Sequence, residues 1–139
     1  MFRFDHLGLA IREPQEVIPY LKAKGYSISD PLVDSNQEVG LIYSKHLEQP
    51  NIELVFPVKE FSQNPIKHIL TKSPQQFYHL CYRVKSFNQY HTFLKGNNIN
   101  FTTVVKAKEA ILFNGLKVQF IYVKGIGLVE LIEDSLHVY

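Results

Sequence analysis

FRFDHLGLAI, residues 2–11, is a mostly apolar run with a histidine set into it. Side chains alternate between the two faces of a strand, so Phe2, Phe4, His6 and Gly8 share one face and Leu7, Leu9 and Ile11 the other. A lone histidine on such a face is most often a packed residue with one satisfied hydrogen bond. This one has a counterpart. FYHLCYRV, residues 77–84, repeats F-x-H-L and places His79 73 residues after His6. A second pair of strand-like segments, NIELV (51–55) and LVELI (128–132), shares E-L between apolar neighbours, with Glu130 following Glu53 by 77 residues. Two anchors at nearly equal offsets mark an internal duplication.

The stretches between the anchors run in parallel. REPQEVIPYLKAKGY has Pro14 near a helix start, Val17, Ile18 and Leu21 at helical spacing, and Gly25 as a stop signal, with Pro19 awkward in the middle. SFNQYHTFLKGNN offers Ser86 as an N-cap, a stripe of Phe87, Tyr90, Phe93 and Leu94, and Gly96 with Asn97 and Asn98 to end it. Three strand candidates follow each helix: YSISDPLV, VGLIYSKH and NIELVFPV, then NFTTVVKA, EAILFNG or KVQFIYV, and GLVELIED. The expected fold class is therefore α+β, with two tandem βαβββ modules at 1–58 and 75–139. Residues 59–74, with Pro65 and Pro74 around the short amphipathic stretch 66–70 and Pro57 just before, are expected to be a linker carrying one short helix.

Composition narrows the function. With 139 residues, 45% hydrophobic and 20% charged at a net charge of +2, the chain is neither disordered nor a strongly basic nucleic-acid binder. Its apolar runs are far shorter than the roughly 20 residues of a membrane span, and no basic and apolar leader opens it. No membrane partner is expected, and the expected location is the cytoplasm. Cys81 is the one cysteine, which agrees with a reducing compartment and excludes an intramolecular disulfide and a cysteine-rich zinc site. Any metal would have to be held by His, Asp or Glu.

His6, Glu53, His79 and Glu130 occupy equivalent places, the histidines on the first strand of each module and the glutamates on the last. A carboxylate inside an apolar strand calls for pairing, protonation or a cation. If the first and last strands of a module lie side by side, each histidine and glutamate meet, and two imidazoles with two carboxylates suit a divalent metal with open coordination positions. His46, His68, His91 and His137 have no counterpart in the other half and read as surface or packing residues.

The motifs HLGLAI, IELVFP, YHLCYRV and GLVELIE resemble, over essentially the whole chain, those of the vicinal oxygen chelate superfamily. Its members include glyoxalase I, methylmalonyl-CoA epimerase, extradiol dioxygenases and the bleomycin-resistance proteins. The resemblance implies two βαβββ modules in a mixed sheet curled around a metal site, with His6, Glu53, His79 and Glu130 as ligands of one divalent ion (Zn, Co, Ni, Mn or Mg). It also implies a small-molecule substrate, either an acyl-CoA thioester or a thiol adduct, and a homodimer. The segment NPIKHIL before FYHLCYRV is similar to the "SPI...FL" segment of the epimerases.

In those epimerases a glutamate just before the third strand serves as one acid/base and the metal-bound glutamate of the last strand as the other. The corresponding stretch here is SNQEV, which puts Asn36 at that position; neither Asn36 nor Gln37 can carry the proton. Strand alternation would set Glu38 on the face of Asn36, so Glu130 is the expected catalytic residue with Glu38 or Glu53 as its partner, Glu38 if the reaction is an epimerisation. The resemblance thus points to a metal-dependent isomerase or lyase most like a methylmalonyl-CoA epimerase. The alternatives are a glyoxalase I-like lactoylglutathione lyase and a drug-binding protein without catalysis.

Overall fold

The computed structural model describes residues 2–59 and 65–136. Its chain contacts group into two compact units, His6–Tyr78 and Met1–Asp5 with His79–Tyr139. The architecture is α+β; the C-terminal unit runs strand, helix and three strands, while the N-terminal unit has four strands after its helix because the first of the expected three is split. Strands β1 (Arg3–Ile11) and β6 (Gln75–Val84) are each divided between the units, and in both the division falls immediately before the histidine.

In the N-terminal unit, β2 (Ser27–Ile28), β3 (Leu32–Asp34), β4 (Val39–Lys45) and β5 (Asn51–Pro57) follow β1. The order is β2-β4-β5-β1, with β3 also on β4. β5 runs parallel to β1, and the other pairs are antiparallel. The segment YSISDPLV does not form one strand: β2 and β3 are separate, broken at Asp30 and Pro31, because a proline supplies no ladder N–H. The helix expected after β1 is likewise split. A 3-10 turn at Pro14–Glu16 precedes helix α1 (Ile18–Ala23), so Pro19 lies in a first turn, where a missing N–H breaks no helical bond.

One sheet face carries Leu9, Ile11, Ile42 and Leu54, which pack with Leu21 of α1 and Tyr26. The other carries His6, Gly8 and Ala10 beside Asn51, Glu53 and Val55, and opposite these Tyr43 and Leu41. Helix α2 (Lys67–Lys72) closes one end of this second face. Ile66 and Leu70 are buried there against Ala10, Val39 and Val55. Gly40 stands opposite Phe56, whose ring lies where a Gly40 side chain would be: a Cβ would come within 2.3 Å of it.

The C-terminal unit has the order β6-β9-β8-β7, with β7 at Phe101–Glu109, β8 at Lys117–Val123 and β9 at Gly127–Glu133. β9 is parallel to β6. Of the two candidates for the middle strand, KVQFIYV is β8, while Ile111–Phe113 forms a 3-10 turn. Helix α3 (Phe87–Gly96) is capped as its sequence predicts. Ser86 Oγ accepts the Gln89 N–H at 3.1 Å, and the Glu133 carboxylate accepts the Phe87 N–H at 3.0 Å, placing negative charge at the positive end of the helix. Tyr90 and Leu94 bury the helix against Val84, Ile121, Val123, Val129 and Leu131. Phe2 meets Tyr90 edge-on at 4.8 Å and Phe93 at 5.1 Å, and Phe4 meets Tyr82 at 5.7 Å. The phenylalanines that precede His6 thus serve the core of one unit, while the histidine belongs to the other.

Candidate metal centre

Parallel pairing sets His6 opposite Asn51 and Gly8 opposite Glu53, so the imidazole and carboxylate are near neighbours on one face. His6 Nε2 lies 3.8 Å from Glu53 Oε1, and both residues are buried. In the C-terminal unit His79 stands opposite Leu128 and Cys81 opposite Glu130. His79 Nε2 lies 3.3 Å from Glu130 Oε1, again with both buried. The registers are equivalent although the offsets of 73 and 77 differ, because the second module has four more residues between its histidine and its glutamate.

The donors fit a divalent cation. Imidazole nitrogen and carboxylate oxygen bound at about 2.0–2.2 Å to one ion stand about 3.0–3.5 Å apart. The His79 and Glu130 pair falls in that range, and the His6 and Glu53 pair is slightly wider. Taking a carboxylate out of water is costly without a compensating charge, and a cation bound between the two groups supplies one.

Each pair has an aromatic neighbour that the sequence reading missed. Tyr43 is opposite Glu53 and Phe120 opposite Glu130. The Tyr43 ring stands edge-on to His6 at 5.5 Å and 82°, the Phe120 ring edge-on to His79 at 5.4 Å and 89°. The offset of 77 that joins the glutamates also joins these two rings.

A family model of the Glyoxalase/Bleomycin resistance protein/Dioxygenase superfamily matches residues 5–120. The chain belongs to that superfamily. No curated protein matches it in sequence. Among solved structures, methylmalonyl-CoA epimerase from Mycobacterium tuberculosis is similar at a TM-score of 0.72 and 18% identity, covering 94% of this chain and 86% of that one. A hypothetical protein from Bacillus halodurans gives a TM-score of 0.76 at 21% identity, covering 99% and 98%. Streptomyces coelicolor methylmalonyl-CoA epimerase in complex with 2-nitronate-propionyl-CoA gives 0.68 at 16%, covering 94% and 95%. At such identities the likeness shows the superfamily fold.

Within that superfamily fold, the SNQE of SNQEV is not strand and its side chains do not alternate; β4 begins only at Val39. Residues 35–38 form the turn between β3 and β4, and Glu38 has a left-handed φ of 56°. Asp34 organises the turn. Its Oδ1 accepts the N–H groups of Asn36 and Gln37 at 3.0 and 3.2 Å, and its Oδ2 accepts the Gln37 side-chain amide at 2.9 Å. The expectation that Glu38 shares a strand face with Asn36 is therefore corrected: the Asp34 side chain captures the backbone before the ladder begins.

The other histidines have local partners or face solvent. His46 Nδ1 accepts the Glu48 and Gln49 N–H groups at 2.9 and 3.0 Å, so Nε2 carries the proton and donates to the Lys24 carbonyl at 2.9 Å. His91 Nε2 donates to Gln119 Oε1 at 2.8 Å, and His68 is exposed. His137 lies outside the described residues.

Sequence reading also missed an ion cluster in the C-terminal unit. Arg83 Nε donates to Asp5 Oδ1 at 2.7 Å and Nη1 to Asp134 Oδ2 at 2.6 Å. Burial by itself lowers the affinity of the guanidinium for its proton, but the bonds and charges of Asp5 and Asp134 outweigh it and hold the group above its ordinary pKa. Both aspartates are buried, so this is a paired-charge cluster.

Proposed function

We propose that the chain is a metal-dependent isomerase or lyase acting on a small acyl thioester, most like a methylmalonyl-CoA epimerase. The observation that carries this reading is the buried His–Glu pair repeated at one register in both modules. In the proposal, His6, Glu53, His79 and Glu130 together hold one divalent cation. Bound there, such a cation supplies Lewis acidity that polarises a carbonyl and lowers the barrier to losing the neighbouring C–H proton. The chain's own residues do the rest. Glu130 Oε takes the proton from the carbon next to the thioester carbonyl. Apolar residues beside the carboxylates, Val55 in one module and Ile132 in the other, keep their surroundings poor in water. Epimerisation needs a second group to return the proton to the opposite face, and Glu38 is the proposed one.

The experiment is deuterium incorporation from solvent into methylmalonyl-CoA, followed by mass, in the wild type, Glu130→Gln and Glu38→Gln. Metal-dependent exchange that falls in Glu130→Gln by about 100-fold or more is expected for loss of a general base. Exchange untouched by that change would remove Glu130 from the mechanism.

A second reading is favoured by the left-handed turn that holds Glu38. A site with a single acid/base would exchange the proton without inverting the carbon, as in a glyoxalase I-like lyase acting on a thiol adduct of a 2-oxoaldehyde. Exchange without inversion in the wild type selects the second reading, and inversion lost in Glu38→Gln the first. The proposal includes a homodimer; light scattering at the 16.1 kDa monomer mass at high concentration would count against it.

A further inference from the structure

We infer that Tyr43 and Phe120 are a matched pair of positioning residues that set the two imidazoles for metal binding, and that the ring, not the phenolic hydroxyl, does this. The inference rests on the metal reading proposed above and goes beyond it.

In the N-terminal unit β5 lies between β4 and β1, so Tyr43 and His6 are on strands two apart. Neighbouring strands are about 4.8 Å apart, so their backbones stand about 10 Å apart. Their rings nevertheless meet at 5.5 Å, so the two side chains lean towards each other over the strand that carries Glu53. In the C-terminal unit β9 lies between β8 and β6, and Phe120 and His79 lean together over the strand of Glu130 to 5.4 Å. Both contacts are near perpendicular, at 82° and 89°. An edge-to-face contact fixes the plane of the imidazole, and each ring also stands directly opposite the carboxylate of its pair.

The two halves then differ in an informative way. The Tyr43 hydroxyl accepts a long bond from Asn51 Nδ2 at 3.4 Å, and Asn51 Oδ1 accepts the His46 N–H at 3.0 Å. The equivalent residues in the C-terminal unit are Phe120 and Leu128, which cannot make those bonds. Each imidazole meets its aromatic neighbour at a similar angle and distance in both units, with or without those bonds, so the ring and not the hydroxyl is the part the two units share.

Metal-free protein titrated with Co²⁺, followed by the visible absorption of the bound ion, tests this directly. Residues that orient metal ligands typically change affinity 10–100-fold when removed. Tyr43→Leu and Phe120→Leu are therefore expected to weaken Co²⁺ binding by about 10–100-fold, and Tyr43→Phe to bind as the wild type does. The absorption bands should shift in the leucine variants and be restored in Tyr43→Phe. Circular dichroism and melting of each metal-free variant separate lost orientation from lost fold. Should Tyr43→Leu fail to fold, Phe120→Leu and Tyr43→Phe decide the case. Leucine variants that fold and bind Co²⁺ as tightly as the wild type would overturn the inference, as would Tyr43→Phe weakened as much as Tyr43→Leu. A wild-type chain that takes up no Co²⁺ would overturn the metal reading as well, so the two failures are distinct.

Discussion

Arg83→Met is expected to destabilise the chain by about 3–5 kcal/mol, the range for removing one partner of a buried ion pair. The guanidinium reaches two carboxylates at 2.7 and 2.6 Å, and their side chains are 6% and 3% exposed. Without it Asp5 and Asp134 face each other across a poorly solvated space, and each raises the other's pKa. The sign follows from linkage. A group whose folded-state pKa is raised contributes stability below its unfolded pKa and loses it as pH rises, so the deficit of the variant should narrow towards about pH 4 and widen towards neutrality. Urea unfolding of the two chains at pH 4 and pH 7 checks both size and direction. Adding Asp5→Asn and Asp134→Asn to the variant should recover part of the loss. A deficit under about 1 kcal/mol at neutral pH, the scale of an exposed pair, would mean that solvent screens the cluster.

The proposed metal ligands carry the other large effect. After stripping with chelator and reloading, His6→Ala and Glu130→Ala are expected to bind a divalent ion more than about 100-fold more weakly than the wild type, beyond the range for residues that merely support ligands. Glu53→Ala and His79→Ala should follow, while His46→Ala and His91→Ala should keep full metal content. His46 and His91 are occupied with a turn and with Gln119, respectively. Equal metal content in wild type and His6→Ala would exclude that imidazole from the proposed set.

What the sequence disclosed, and what it withheld, follows the range of each interaction. The histidines and glutamates were legible because duplication printed each motif twice in short strands whose alternation is regular. Ser86 was legible because a cap acts within three residues. The Arg83 cluster was not, since its partners stand 78 and 51 residues away and no period or motif joins them. Tyr43 and Phe120 were within reach, because the offset of 77 relates them as it relates the glutamates, but only the register shows that each faces a carboxylate. SNQEV departs from strand alternation because Asp34 folds the chain into a turn; an Asp-Ser-Asn run between apolar segments is the local sign of that turn.

The placement of each imidazole on the first strand of a module and each carboxylate on the last has a consequence for the order of assembly. Nothing shorter than nearly a whole module contains both members of a pair, and the two strands that carry them are parallel, a pairing that closes a long loop. Local elements such as the capped α3 and the antiparallel β8–β9 contact can form earlier, since they require little chain closure. Each His–Glu pair is thus expected to be among the last contacts its module completes. If the pairs hold a cation as proposed, metal uptake is expected to follow the folding of a module and not to nucleate it.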